Sequence, residues 1–216
     1  MMQFLGWSLA LSAILCVFYA KLLLPHYKGK YAEESGTEGL SPLILAIGFT
    51  VTAAAFAAMF LLGGEGMYLA VNLIVTSLLL IISSVDLSFR KIPNELVFII
   101  VMCPMFFWIY GDRHILEAFT GGVLASILPA AARLLGAQIG SGDIKLMFSA
   151  GFYLGTWLAL GFFVTTFVLA ALMSVLLLIF GKAARKAEIP LAPFAAAAFV
   201  FAICFDNFFI KLWRII

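Results

Sequence analysis

Charge is what this sequence has least of. Only 11% of its 216 residues are Asp, Glu, Lys or Arg, while 65% are hydrophobic. A soluble domain carries about 25% charged residues, and 13 Lys+Arg with 11 Asp+Glu cannot dress the surface of a core this large. A soluble globular enzyme and a disordered chain are excluded together, and the mean hydropathy of +1.16 points to a surface facing lipid. A net charge of +2 offers no field for a polyanion, so nucleic acid is not an expected partner. Cysteine is scarce as well. Cys16, Cys103 and Cys204 lie far apart in apolar stretches, with no CxxC pair. Neither a disulfide framework nor a zinc site can be built from that spacing, so no metal and no cofactor are expected. The chain also lacks a basic stretch ahead of its first apolar run, so that run reads as a retained span and not as a cleaved signal.

What is present is apolar runs of membrane length. About 20 apolar residues cross a bilayer, which gives candidate spans at about 3–24, 42–62, 67–85, 95–110, 115–136, 157–181 and 190–210. The run from Ile144 to Gly155 is too short for a full crossing, and it reads as an eighth, short or re-entrant helix turning at Gly155-Thr156. The expected fold is an all-α polytopic membrane protein of about eight transmembrane helices, forming a single domain over 1–216. The loop 25–41 is the longest, and it reads as a solvated linker.

Basic residues set the orientation. With Arg90 and Lys91 placed in the cytoplasm, alternation across eight spans also puts Lys21, Lys28, Lys30, Arg133, Lys145, Lys182, Arg185 and Lys186 there. Only Arg113, Lys211 and Arg214 remain outside. Both termini then lie outside the cytoplasm.

Among so few acids, those at membrane depth or at its edge are the informative ones. Asp86 follows Ile81-Ile82-Ser83-Ser84-Val85 and opens Asp86-Leu87-Ser88-Phe89-Arg90-Lys91-Ile92-Pro93-Asn94. Pro93 suits the first turn of a new helix. Asp143 sits in Gly140-Ser141-Gly142-Asp143-Ile144-Lys145-Leu146, where the two glycines permit close backbone approach. Taken singly, Asp86 reads as a cap or a partner of Arg90 or Lys91, and Asp143 as a helix cap. Taken together they change the reading, because the topology places both at one membrane face. Two close carboxylates do not both ionise easily, so one holds a proton while the other activates water. That is the apparatus of aspartyl hydrolysis. His26 and His114 fall on opposite sides of the membrane, so no serine–histidine arrangement competes.

Asp-x5-Ile-Pro-Asn followed by Gly-Ser-Gly-Asp-Ile-Lys-Leu resembles the type IV prepilin peptidases, the GxGD membrane aspartyl proteases of bacteria. The resemblance runs from about residue 67 to the C-terminus and takes in Ile189-Pro190-Leu191-Ala192-Pro193-Phe194, similar to the stretch that opens the family's last span. It implies that Asp86 and Asp143 are the catalytic pair, acting at the cytoplasmic face of the inner membrane. The implied substrate is a prepilin or pseudopilin with a basic leader and an apolar helix, cut at their junction. Gly140 and Gly142 are expected to admit substrate backbone, with Pro93, Asn94 and Lys145 shaping the site. Lys145 either stays near Asp143 or snorkels to the interface, and snorkelling is the preferred reading. Full-length members carry a zinc-binding cytoplasmic domain with paired CxxC motifs after the first span. The corresponding loop here, 25–41, has no cysteine, so the chain resembles a minimal member in which methyl transfer and zinc binding are not expected. The alternative is a small transporter or channel subunit whose aspartates bind a cation. Such a protein would continue polar residues along one face at mid-membrane, where this chain has little beyond Asn72 and a few serines and threonines.

Overall fold

The structure is a computed structural model that describes residues 66–105, 114–180 and 190–213, with Pro25, His26, Gly29, Ala54 and Ala57 as isolated positions. The expected spans at 3–24 and 42–62 and the linker 25–41 lie outside the described residues. Six helices form the described chain: α1 Gly66–Phe89, α2 Asn94–Met102, α3 Ile115–Leu134, α4 Ser141–Leu154, α5 Thr156–Ile179 and α6 Ala192–Trp213. No strand occurs among the described residues. This is an all-α membrane protein: Leu69–Phe89, Ile115–Leu134 and Thr156–Ile179 are each long and apolar enough to cross, and Ala192–Asp206 is a shorter apolar helix. The chain divides into two compact units, one comprising Met1–Lys91 with Ile203–Ile216 and the other Ile92–Ala202.

In the first unit, α1 extends four residues past the expected end at 85. Leu87 and Phe89 keep the helix apolar beyond Asp86, and the hydroxyls of Ser84 and Ser88 bond back to the carbonyls of Leu80 and Ser84. These bonds satisfy polar groups that hydropathy scores against a span. The buried side chains Val71, Val75, Leu79 and Ile82 recur at helical spacing, and Asp86 and Phe89 continue the same stripe. The helix stops at Arg90. Its φ of 52° is in the left-handed region, and its N–H donates to the Asp86 carbonyl at 2.8 Å. Glycine is the usual residue for such a cap, and holding arginine there costs about 1–2 kcal/mol.

In the second unit the expected span 95–110 is interrupted: α2 ends at Met102 after 9 residues, and 106–110 lie outside the described residues. Pro104 has no N–H to continue the ladder, although Cys103 before it keeps helical φ and ψ of −55° and −41°. Hydropathy does not register a missing donor. The helix also starts one residue later than the motif suggests. Pro93 is its N-cap, in extended geometry, and its carbonyl accepts from Val97 at 3.3 Å.

The short helix expected at 144–155 is present as α4, with 14 residues. At 1.5 Å per residue it is about 21 Å long, against about 30 Å of hydrocarbon. Leu146, Met147 and every residue from Ser149 to Leu154 are buried. A helix buried on all faces is surrounded by protein, and α2, α3 and α5 pack on it. Tyr153 adds a ring contact at 5.5 Å with Phe199 of α6. The approach of α3 to α4 depends on small residues, a buried row of Ala118, Gly121, Gly122, Ala125 and Ser126. Gly155 then turns the chain into α5 with φ 78° and ψ 175°, a region essentially reserved for glycine. Thr156 secures that turn by donating to the Glu117 carbonyl at 3.2 Å.

Candidate functional site

Asp143 opens the central helix of the second unit. Gly140 is the N-cap of α4, so Asp143 is the third helical residue, and its carboxylate accepts the Gly140 backbone N–H. This is the acidic half of a capping box whose other half, a side chain at the N-cap, is missing. The capping role read for Asp143 on its own is therefore real. It does not explain the environment. Burial pushes the carboxyl above its ordinary value of 3.8, and the Gly140 N–H only partly offsets that. An acid needed only as a cap could stay in water.

The approach to α4 is held from α3. Gly136, with φ 96°, ends α3, and its N–H donates to the Arg133 carbonyl at 3.0 Å. The Arg133 guanidinium reaches forward to the Ile139 carbonyl at 3.2 Å. The orphan carbonyls of the helix end are thus tied to the loop that delivers Gly140.

The glycines of Gly140-Ser141-Gly142 are used for closeness. A Cβ on Gly140 would lie 2.8 Å from Asp143 Oδ2. A Cβ on Gly142 would lie 3.0 Å from the Cβ of Ile92. The first contact concerns the carboxylate itself, and the second concerns the segment that carries Ile-Pro-Asn. Gly140→Ala should leave the fold intact, because only the end of a side chain must move, yet it turns the Asp143 carboxylate out of place. We expect little change in thermal midpoint, which a melting curve checks.

The Ile-Pro-Asn segment and the start of α4 meet in two places. Ile92 lies on Gly142, and Lys145 Nζ donates to Asn94 Oδ1 at 3.0 Å. Pro93, between them, is buried. The Lys145 ammonium is exposed and goes to Asn94. Residues two apart on a helix do not face each other, so it is not directed at Asp143. Ile92 was not singled out from the sequence, because its contribution is shape, which carries no residue-type signal.

Asp86 belongs to the first unit. It sits in the last turn of α1 at 5% exposure, on a stripe otherwise filled by apolar side chains. A carboxylate buried at such a position needs partners to offset its lost hydration. Among the described residues, no three of His, Cys, Asp and Glu are grouped as metal ligands would be.

Comparison with known proteins adds two findings. The model of the type IV leader peptidase family matches residues 73–175, an interval that contains both aspartate motifs. A prepilin leader peptidase/N-methyltransferase of Bacillus subtilis (strain 168) is 29% identical over 174 residues, covering 75% of this chain and 68% of the relative. No solved structure matches the chain.

Proposed function

We propose that the chain is a member of the type IV leader peptidase family, whose model it matches over 73–175, and an aspartyl endopeptidase that removes the basic leader of prepilin-like or pseudopilin precursors at the cytoplasmic face of the bacterial inner membrane. Asp86 and Asp143 form the catalytic pair. One carboxylate takes a proton from water as the water attacks the scissile carbonyl, and the other donates to the carbonyl oxygen. The observation that carries this reading is the placement of the two acids. Asp86 occupies a buried stripe of a spanning helix, and Asp143 is partly buried at the head of a helix enclosed by protein. Acids in such places are functional far more readily than structural.

Orientation follows from charge. Arg90, Lys91 and Arg133 lie near the helix ends that carry the two acids, and basic residues collect on the cytoplasmic side. The eight-helix, single-domain arrangement belongs to the same proposal, as do the two spans expected before residue 66. A short α4 suits the chemistry, because its first turn, at the cytoplasmic boundary, is open to an extended leader junction. Gly140 and Gly142 border that turn, and Pro93, Asn94 and Lys145 support it. Methyl transfer, named for the Bacillus subtilis relative, is not assigned to this chain, and neither is zinc, because the loop 25–41 contains no cysteine.

The test is direct. The purified chain in lipid vesicles is incubated with a prepilin-like precursor, and the shortened product is identified by mass spectrometry. One cut between the basic leader and the apolar helix is expected. A precursor left whole under conditions where a related leader peptidase cuts it would refute the assignment.

The cation-transport alternative gains no support from the polar side chains of α1. The hydroxyls of Ser77, Ser83 and Ser84 are bonded to their own helix at 2.6–2.9 Å. They do not present a polar track.

A further inference from the structure

We propose that Asn94 and Lys145 are positioning residues: with Ile92 seated on Gly142, their hydrogen bond forms a clasp that fixes the first turn of α4, and so the Asp143 carboxylate, against the Ile-Pro-Asn segment. The inference rests on the proposed peptidase reading for its functional consequence, though not for the clasp itself.

The argument begins with where the bond lies. Asn94 and Lys145 are both exposed, and an exposed hydrogen bond to a flexible ammonium adds little stability once the ordering of that side chain is counted. Its effect is geometric. Asp143 lies between two holding points on one turn, Gly142 against Ile92 and Lys145 against Asn94. Pro93 joins the other two halves with a fixed φ of −67°. The two points therefore move as one piece. From its other side, the Asp143 carboxylate is held by the Gly140 N–H. A carboxylate that must meet both a water and a scissile carbonyl gains from such restraint, since a displacement of about 1 Å can cost about a hundredfold in rate.

The competing role for Lys145 is electrostatic, with its charge acting on Asp143 directly. The two roles predict different kinetics. With a clasp, Lys145→Met and Asn94→Leu each lower kcat about tenfold and leave KM unchanged. The double variant is also about tenfold down, not a hundredfold, because the second substitution breaks a bond already gone. Lys145→Arg, which can still donate to Asn94, stays within about twofold of the parent. The acid limb of the pH–rate profile stays in place in all of them. Limited proteolysis of the full chain in vesicles gives a readout that needs no substrate: cutting within 90–93 should rise equally in the two single variants and in the double.

Additive losses, a Lys145→Met acid limb displaced to higher pH, or unchanged proteolysis would overturn the proposal. So would failure of either single variant to accumulate, because that would make the contact a structural one. If the parent cuts no precursor, the peptidase reading fails by itself, while the proteolysis still decides whether the clasp exists.

Discussion

Replacing Asp143 by Asn abolishes leader cleavage, lowering kcat/KM by about a thousandfold or more, and leaves a protein that is more resistant to heat at neutral pH than its parent. The two halves of that expectation have one origin. Asp143 is partly buried, and burial holds its carboxyl above the ordinary 3.8 despite the Gly140 N–H. An acid whose folded value is raised binds its proton more tightly in the folded chain than in the unfolded one. Its stabilising contribution is complete below the unfolded value and is lost as pH rises through the folded one. Above the unfolded value the raised Asp143 carboxyl therefore disfavours the fold relative to a neutral side chain. Asn has the same shape, still accepts the Gly140 N–H, and carries no charge. The stability gain should shrink as the pH is lowered toward 3.8, where the parent is itself protonated. Melting curves of both proteins in the same detergent from pH 4 to 8 give the sign.

Asp86→Asn should be equally inactive and should still accumulate folded, because Asn keeps the size and hydrogen-bonding capacity of the buried carboxyl. A structural acid would behave in the opposite way, with substitution lowering stability and activity together. Accumulation of a fully processed precursor by either variant would remove that residue from the catalytic pair.

The reasons why parts of this site could be read from sequence, and parts could not, are physical. Asp86 and Asp143 stood out because charge is rare here and each lies where an apolar run meets a turn. Gly155 is legible as a break because the apolar run 144–180 is far longer than one crossing, and its φ of 78° requires glycine. Hydropathy ends α1 four residues early because it falls at Asp86 and Ser88, whereas the backbone ladder is indifferent to side-chain polarity and the Ser88 hydroxyl is satisfied within the helix. The interruption of the 95–110 run at Pro104 is hidden from hydropathy for a related reason: an apolar score carries no information on hydrogen-bond donors. The bond from Lys145 to Asn94 joins residues 51 apart, and no local pattern announces it. Nor does any pattern reveal that Gly121 faces Gly151, since both count only as small residues in apolar runs.

That last contact yields the largest expected effect on stability. A Cβ on Gly151 would stand 2.5 Å from the Gly121 carbonyl oxygen and 2.6 Å from the Ala125 Cβ, and a Cβ on Gly121 would stand 2.5 Å from the Gly151 oxygen and 2.6 Å from the Gly155 carbonyl carbon. Most of these atoms are backbone, so no rotamer change relieves them. Either α3 and α4 separate along their shared face or the chain does not fold. Gly151→Ala should cost at least the upper end of the usual overpacking range, about 3 kcal/mol, which for a chain of this size lowers the melting midpoint by about 10 °C. Gly161 in α5 supplies the contrast, because a Cβ there meets nothing within 4 Å. In Gly161→Ala the better helix propensity of alanine is all that remains, a gain of up to about 1 kcal/mol. Two identical chemical changes in neighbouring helices thus have opposite expected signs, and the crossing geometry alone decides between them. Equal midpoints for the two variants would show that α3 and α4 are not in backbone contact. The consequence reaches the site as well. Because α4 is enclosed by its neighbours, any displacement at Gly151 carries the whole helix with it, and Asp143 is its third residue.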